Sequence, residues 1–167
     1  MSSKILVGYA TRYGSTKEAA EVIATTLQEG GFEVDLLPVR DVRTLENYNA
    51  VVLGAPLFMF HWHKDALRFL ARFQKVLGNL PVAVFALGPV TDPYKEEEWQ
   101  GARDQLEKEL AKHSWFKPAA LEIFGGRLDP QKMGFPMKMF AGQMPASDIV
   151  DLAAVRKWAE KLPAIFG

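Results

Sequence analysis

The chain has 167 residues, enough for one domain with a full hydrophobic core. Its 20 basic and 20 acidic residues cancel to a formal net charge of zero, so the clustered basic excess of a nucleic-acid binder is missing. It has no cysteine, which excludes disulfides, thiolate nucleophiles, iron–sulfur clusters and cysteine-based zinc sites; any redox chemistry must be carried by a bound cofactor.

Met1-Ser2-Ser3-Lys4 runs straight into an apolar segment without a signal-peptide pattern, so a cytoplasmic location is expected. The first strand is the apolar run Ile5–Ala10. A helix follows over Thr16–Leu27, with Ala19, Ala20, Ile23 and Leu27 on one face. Phe32–Leu37 reads as a strand, Asp41–Tyr48 as a short helix or loop, and Ala50–Ala55 as the third strand. The spacing of Ala66, Phe69, Leu70, Phe73 and Leu77 predicts a helix over Asp65–Leu77. Val82–Leu87 is the fourth strand. A helix from Pro93 to about Ala111 turns Trp99, Ala102, Leu106 and Leu110 inward, with Asp92 able to cap it. Ala119–Phe124 is the fifth strand, and Ile149–Leu162 the last helix.

Strands alternating with helices imply an α/β three-layer sandwich: a five-stranded parallel sheet covered on both faces, within a single domain over residues 1–167. Strands one, three and four are almost purely apolar, as interior strands are. Strands two (Glu33, Asp35) and five (Glu122) carry charges that edges tolerate. That places two and five outermost and gives the order 2-1-3-4-5, the flavodoxin-like winding.

In such a sheet ligands sit beyond the carboxyl ends of the strands, near strand one. The loop there is Thr11-Arg12-Tyr13-Gly14-Ser15-Thr16, which opens a helix. Helix N-termini offer free N–H groups and a favourable dipole to a phosphate. Thr11, Ser15 and Thr16 add hydroxyls, Gly14 permits the tight turn, and Arg12 adds a cation. Alternatively, Ser15 and Glu18 form a capping box. No G-x-G-x-x-G and no G-K-[ST] is present, and Thr11, Arg12, Ala55 and Pro56 stand where a phospho-accepting receiver would place acids.

Pro56-Leu57-Phe58-Met59-Phe60-His61-Trp62-His63 follows strand three and is very aromatic for a surface connection. These side chains either belong to the core or, through Phe58, Phe60 or Trp62, line a flat ring such as a flavin. After strand four come Gly88-Pro89-Val90-Thr91-Asp92-Pro93-Tyr94. Gly88 allows close backbone approach, Pro89 or Tyr94 can pack on a ring, and Thr91 and Asp92 complete the loop unless Asp92 only caps. His61 and His63 lack a third ligand cluster, so no metal is expected; a hydrogen bond or proton delivery suits them better.

Ile5–Ala24 (ILVGYATRYGSTKEAAEVIA) resembles the N-terminal signature of the flavodoxin-domain family. Gly54–Leu70 (GAPLFMFHWHKDALRFL), Ile123–Gly134 (IFGGRLDPQKMG) and Asp148–Leu162 extend the resemblance to the branch of menaquinone-dependent protoporphyrinogen IX dehydrogenase. The resemblance implies non-covalent FMN, with its phosphate at Thr11–Thr16 and its ring flanked by the loops after strands three and four. It implies further a two-electron dehydrogenase working with a quinone and a porphyrinogen-like substrate; a carrier that docks to a redox partner protein is the alternative. That branch carries an insertion before the last helix, and Gly125–Ser147 fills its place. In that segment Met133, Phe135, Met137, Met139, Phe140 and Met144 crowd beside Lys132 and Lys138. The segment either packs on the sheet edge or, through 132–144, offers an adaptable surface to a substrate, a partner or a membrane.

Overall fold

The computed structural model describes residues 3–12, 14–58, 61–90, 95–128 and 146–167. β1 (Lys4–Tyr9), β2 (Glu33–Pro38), β3 (Ala50–Phe58), β5 (Val82–Leu87) and β6 (Ala120–Phe124) form a parallel sheet in the order β2-β1-β3-β5-β6. Its charged strands are the outermost, as expected. Three short strands were not foreseen, and one of them joins this sheet. β4 (His61–Trp62) folds back antiparallel on the end of β3, pairing Leu57 with Trp62 and Phe58 with His61. Pro56, Leu57 and Phe58 are therefore strand rather than loop: Pro56 continues the parallel pairing opposite Leu87, and the hairpin satisfies Leu57 and Phe58 beyond it.

The pleat sends alternate residues of β1 to opposite layers. Leu6 joins Val51, Leu53, Val84 and Ala86 beneath α2 (Lys64–Arg72) and α4 (Glu96–Ala111). Ile5 and Val7 join Val52 and Phe85 beneath α1 (Ser15–Glu29) and α5 (Leu152–Phe166). The helix expected over Asp65–Leu77 is broken at Phe73, whose φ of −106° and ψ of 24° separate α2 from α3 (Gln74–Leu77). There Arg72 donates to the Val42 carbonyl at 3.0 Å, and the Phe69 and Phe73 rings meet at 5.0 Å. Between β2 and β3, residues 42–48 take the loop alternative, and a 3-10 turn at Val39–Asp41 precedes them.

α4 begins at Glu96 with Lys95 as its N-cap, later than the expected start at Pro93. α5 begins at Leu152, capped by Asp151, whose carboxylate accepts the Ala154 N–H at 3.1 Å. It continues past Leu162 through Pro163 to Phe166. A two-stranded ribbon, β7 (Arg127–Leu128) with β8 (Ser147–Asp148), closes the stretch before α5. The Met- and Phe-rich residues 133–144 lie outside the described residues. Among the described residues no helix is long and apolar enough to cross a membrane.

Candidate functional site

The turn between β1 and α1 is built to leave donors free. Gly14 is the N-cap residue of α1 at φ 96°, a left-handed conformation that a Cβ would strain. Its N–H donates to the Thr11 Oγ1 at 2.9 Å, which closes the turn and leaves the Thr11 hydroxyl proton available. Among the described residues no side chain caps α1. The alternative, a capping box from Ser15 and Glu18, does not form, because Gly14 rather than Ser15 is the N-cap and the Glu18 carboxylate is taken by Arg127, with Nη1 and Nη2 each at 3.0 Å. Arg127 also donates through Nε to Asp148 at 2.9 Å, tying the β7–β8 ribbon to the first turn of α1.

Thr16 supplies the most telling atom. It is 1% exposed, and among the described residues its Oγ1 has no hydrogen-bond partner. A buried hydroxyl left unpaired costs about 1–3 kcal/mol. An uncapped helix start, a turn hydroxyl and this orphan together fit a bound phosphate, which needs several converging donors. Arg12 is exposed and stacks its guanidinium over the Phe58 ring at 5.4 Å. Tyr13 lies outside the described residues.

The hairpin sorts its aromatic residues. Trp62 is 1% exposed, and its indole N–H donates to the Ala55 carbonyl at 3.0 Å. The structure thus assigns Trp62 to the core instead of a ring-facing position, since it is the inward residue of β4. Phe58 stays half-buried beneath Arg12, and Phe60 lies outside the described residues. Opposite the hairpin, a Cβ on Gly88 would meet Leu57 at 3.5 Å, so backbone there approaches β3 closely. Pro89 is buried, its carbonyl accepts the Gly126 N–H at 2.7 Å, and it lines the cavity beside Gly88. Thr91, Asp92 and Tyr94 lie outside the described residues, as does any cap from Asp92. A cavity of about 380 Å³ opens between Leu57, Gly88 and the start of α4.

The two histidines part ways. His63 caps α2: its Nδ1 accepts the Asp65 N–H at 3.1 Å. Burial pushes its pKa below the usual histidine range, Asp65 opposes this, and Arg12, Lys64 and Arg40 reinforce it. His61 is largely exposed, with Nδ1 3.2 Å from the Glu109 carboxylate. Glu109 is 2% exposed and also accepts Lys112 Nζ at 3.2 Å. This buried carboxylate escaped the sequence reading. The available signal was its position between Leu106 and Leu110 on the inward face of α4.

An open parallel sheet in this order, with an anion-ready turn after β1, defines a flavodoxin-type α/β protein. The flavodoxin-domain family profile matches residues 6–143, and the chain belongs to that family. It is 27% identical to the protoporphyrinogen IX dehydrogenase [quinone] of Escherichia coli K12 over 127 residues, 75% of this chain and 69% of that protein. It is equally identical to the enzyme of that name from Leishmania major, over 98% of this chain and 76% of the relative. Among solved structures it resembles a short-chain flavodoxin associated with a non-canonical PDU bacterial microcompartment (TM-score 0.63, 16% identity, 99% of each chain). It also resembles flavodoxin 2 from Bacillus cereus (TM-score 0.56, 20% identity, 98% of this chain and 97% of the other).

Proposed function

We propose that the chain binds FMN and acts as a dehydrogenase that oxidises a porphyrinogen-like substrate and passes the electrons to a quinone. The observation that carries the cofactor is the orphaned, buried Thr16 hydroxyl in the uncapped first turn of α1. Thr11, Ser15, Thr16 and the first-turn amides would hold the phosphate; Phe58 and the backbone at Gly88 are the described groups beside which the ring would lie. When bound, FMN supplies a two-electron acceptor. The chain's own part in the chemistry falls to His61. Glu109 holds its Nδ1, so Nε2 is the atom left to take the proton that a substrate releases when it loses a hydride equivalent. The names of the curated relatives support porphyrinogen and quinone as the substrate classes.

The alternative is an electron carrier, favoured by the likeness in fold to flavodoxins. Stopped-flow kinetics separates the two: reduction by a porphyrinogen and reoxidation by menadione are expected of the dehydrogenase, and exchange with a reductase alone of the carrier. The cofactor itself is tested on purified protein, which should absorb near about 450 nm and release FMN on heating. Thr16→Val keeps the shape and removes the hydroxyl. It should weaken FMN binding on the order of tenfold or more, since a hydrogen bond to a charged group contributes about 1.5–3 kcal/mol. Colourless protein that stays so in excess FMN would overturn the proposal.

A further inference from the structure

We propose that the groove along the outer edge of β6, between α4 and α5, binds small amphipathic anions: a flat apolar body with a carboxylate at its margin. The groove encloses about 480 Å³, within the size range of small-molecule sites. Ile123 and Phe124 of β6, Trp99 of α4, and Ala154 and Trp158 of α5 give it apolar walls. The Trp158 ring packs edge-on against Phe124 at 5.7 Å and against Phe85 at 5.9 Å, so this wall is fixed by the core.

Charge at the rim decides the sign of the ligand. The acids are already engaged. Glu122 accepts Arg103 Nη2 at 2.7 Å and the Ile123 N–H at 2.9 Å, and Asp151 caps α5. Glu160, which lies between the rim lysines in sequence but does not line the groove, shares Arg156 with Glu29, its own contact being 3.2 Å. Lys157 and Lys161 stand one turn apart on α5, both exposed, and neither makes an ion pair among the described residues. Lys157 and Lys161 outnumber Asp151, the lining acid that has only a neutral N–H as its partner here, so the rim above the aromatic floor is positive on balance. A carboxylate seated there gains two ammonium groups while its apolar body leaves water.

The edge itself argues against an added peptide strand. The outward Leu121 carbonyl accepts Arg103 Nη1 at 3.4 Å, and the outward Ile123 N–H is taken by Glu122. The ladder positions such a strand would need are occupied by side chains. β3 and β5 separate β6 from β1 and its phosphate turn, so the groove stands independently of the flavin reading.

The test is titration of the full chain, with saturating FMN present, by 2-naphthoate and by neutral 2-naphthylmethanol. Tryptophan fluorescence reports on Trp99 and Trp158, and calorimetry gives the stoichiometry. One naphthoate should bind per chain, roughly tenfold tighter than the alcohol. K157Q/K161Q, on an exposed face, should erase that preference while changing alcohol binding by less than about twofold. Ala154→Phe, which fills the groove, should abolish both, and so separates this site from the phosphate turn even if FMN does not bind. The proposal fails if no saturable signal appears, if the preference survives loss of both lysines, or if Ala154→Phe leaves naphthoate binding intact.

Discussion

The imidazoles of His61 and His63 differ in what holds their Nδ1 atoms. One faces a buried carboxylate, the other a backbone N–H. A cap made by Nδ1 requires that atom unprotonated, and burial with nearby Arg12 and Lys64 pushes the His63 pKa down. In the unfolded chain His63 titrates near about 6.5. Below that pH the unfolded state takes up a proton that the folded state resists, so the contribution is complete above about 6.5 and is lost as pH falls through the lower folded value. His63→Asn supplies a cap acceptor that does not titrate. Its urea midpoint should vary less between pH 7 and 5 than that of the parent protein. Equal slopes would remove His63 from the acid response. The sequence displayed both histidines and hinted at proton chemistry, but not which one could do it, because Glu109 lies 48 residues from His61 along the chain. Trp62 was hidden for a related reason: only the register of β4 on β3 shows that it faces inward.

The first turn of α1 depends on an element far away in sequence. Glu18 would place a bare carboxylate beside the proposed phosphate, and Arg127 of β7 neutralises it. Arg127→Ala should therefore weaken FMN binding several-fold, more at low salt, and adding Glu18→Gln should restore much of it. If the double variant binds no better than Arg127→Ala, the ribbon acts through packing instead of charge. β3 has its own long-range constraint. A Cβ on Gly54 would lie 1.9 Å from the Phe85 ring, which is fully buried against Phe124 and Trp158. Gly54→Ala should cost about 2–3 kcal/mol or more in urea unfolding, and the Phe85→Leu background should reduce that penalty. β1 and β5 were readable almost to the residue because their apolar runs end at turn residues. β3 ran longer than expected, and the long helix broke at Phe73, because hairpin pairing and the Arg72 contact to Val42 come from tertiary structure.

The order of the sheet followed from charge placement, since only an edge strand tolerates Glu33, Asp35 or Glu122 without burying them. Charge also bears on how the folded protein meets its redox partners. A carrier steered by its field shows rates that fall steeply with ionic strength. This chain balances 20 basic against 20 acidic residues, and many are paired with each other, such as Arg127 with Glu18 and Arg156 with Glu29. Long-range steering of a charged protein should then be weak, whereas a neutral quinone meets no field in any case. Reoxidation of the reduced protein by menadione should change less than about twofold between 10 and 300 mM salt, across which the Debye length falls from about 30 Å to about 6 Å. Electron transfer to a basic protein acceptor such as cytochrome c should be slow and almost as flat. A steep decline with salt in the protein reaction, beside slow quinone turnover, would mean that a local acidic face outweighs the overall balance and would turn the assignment toward the carrier.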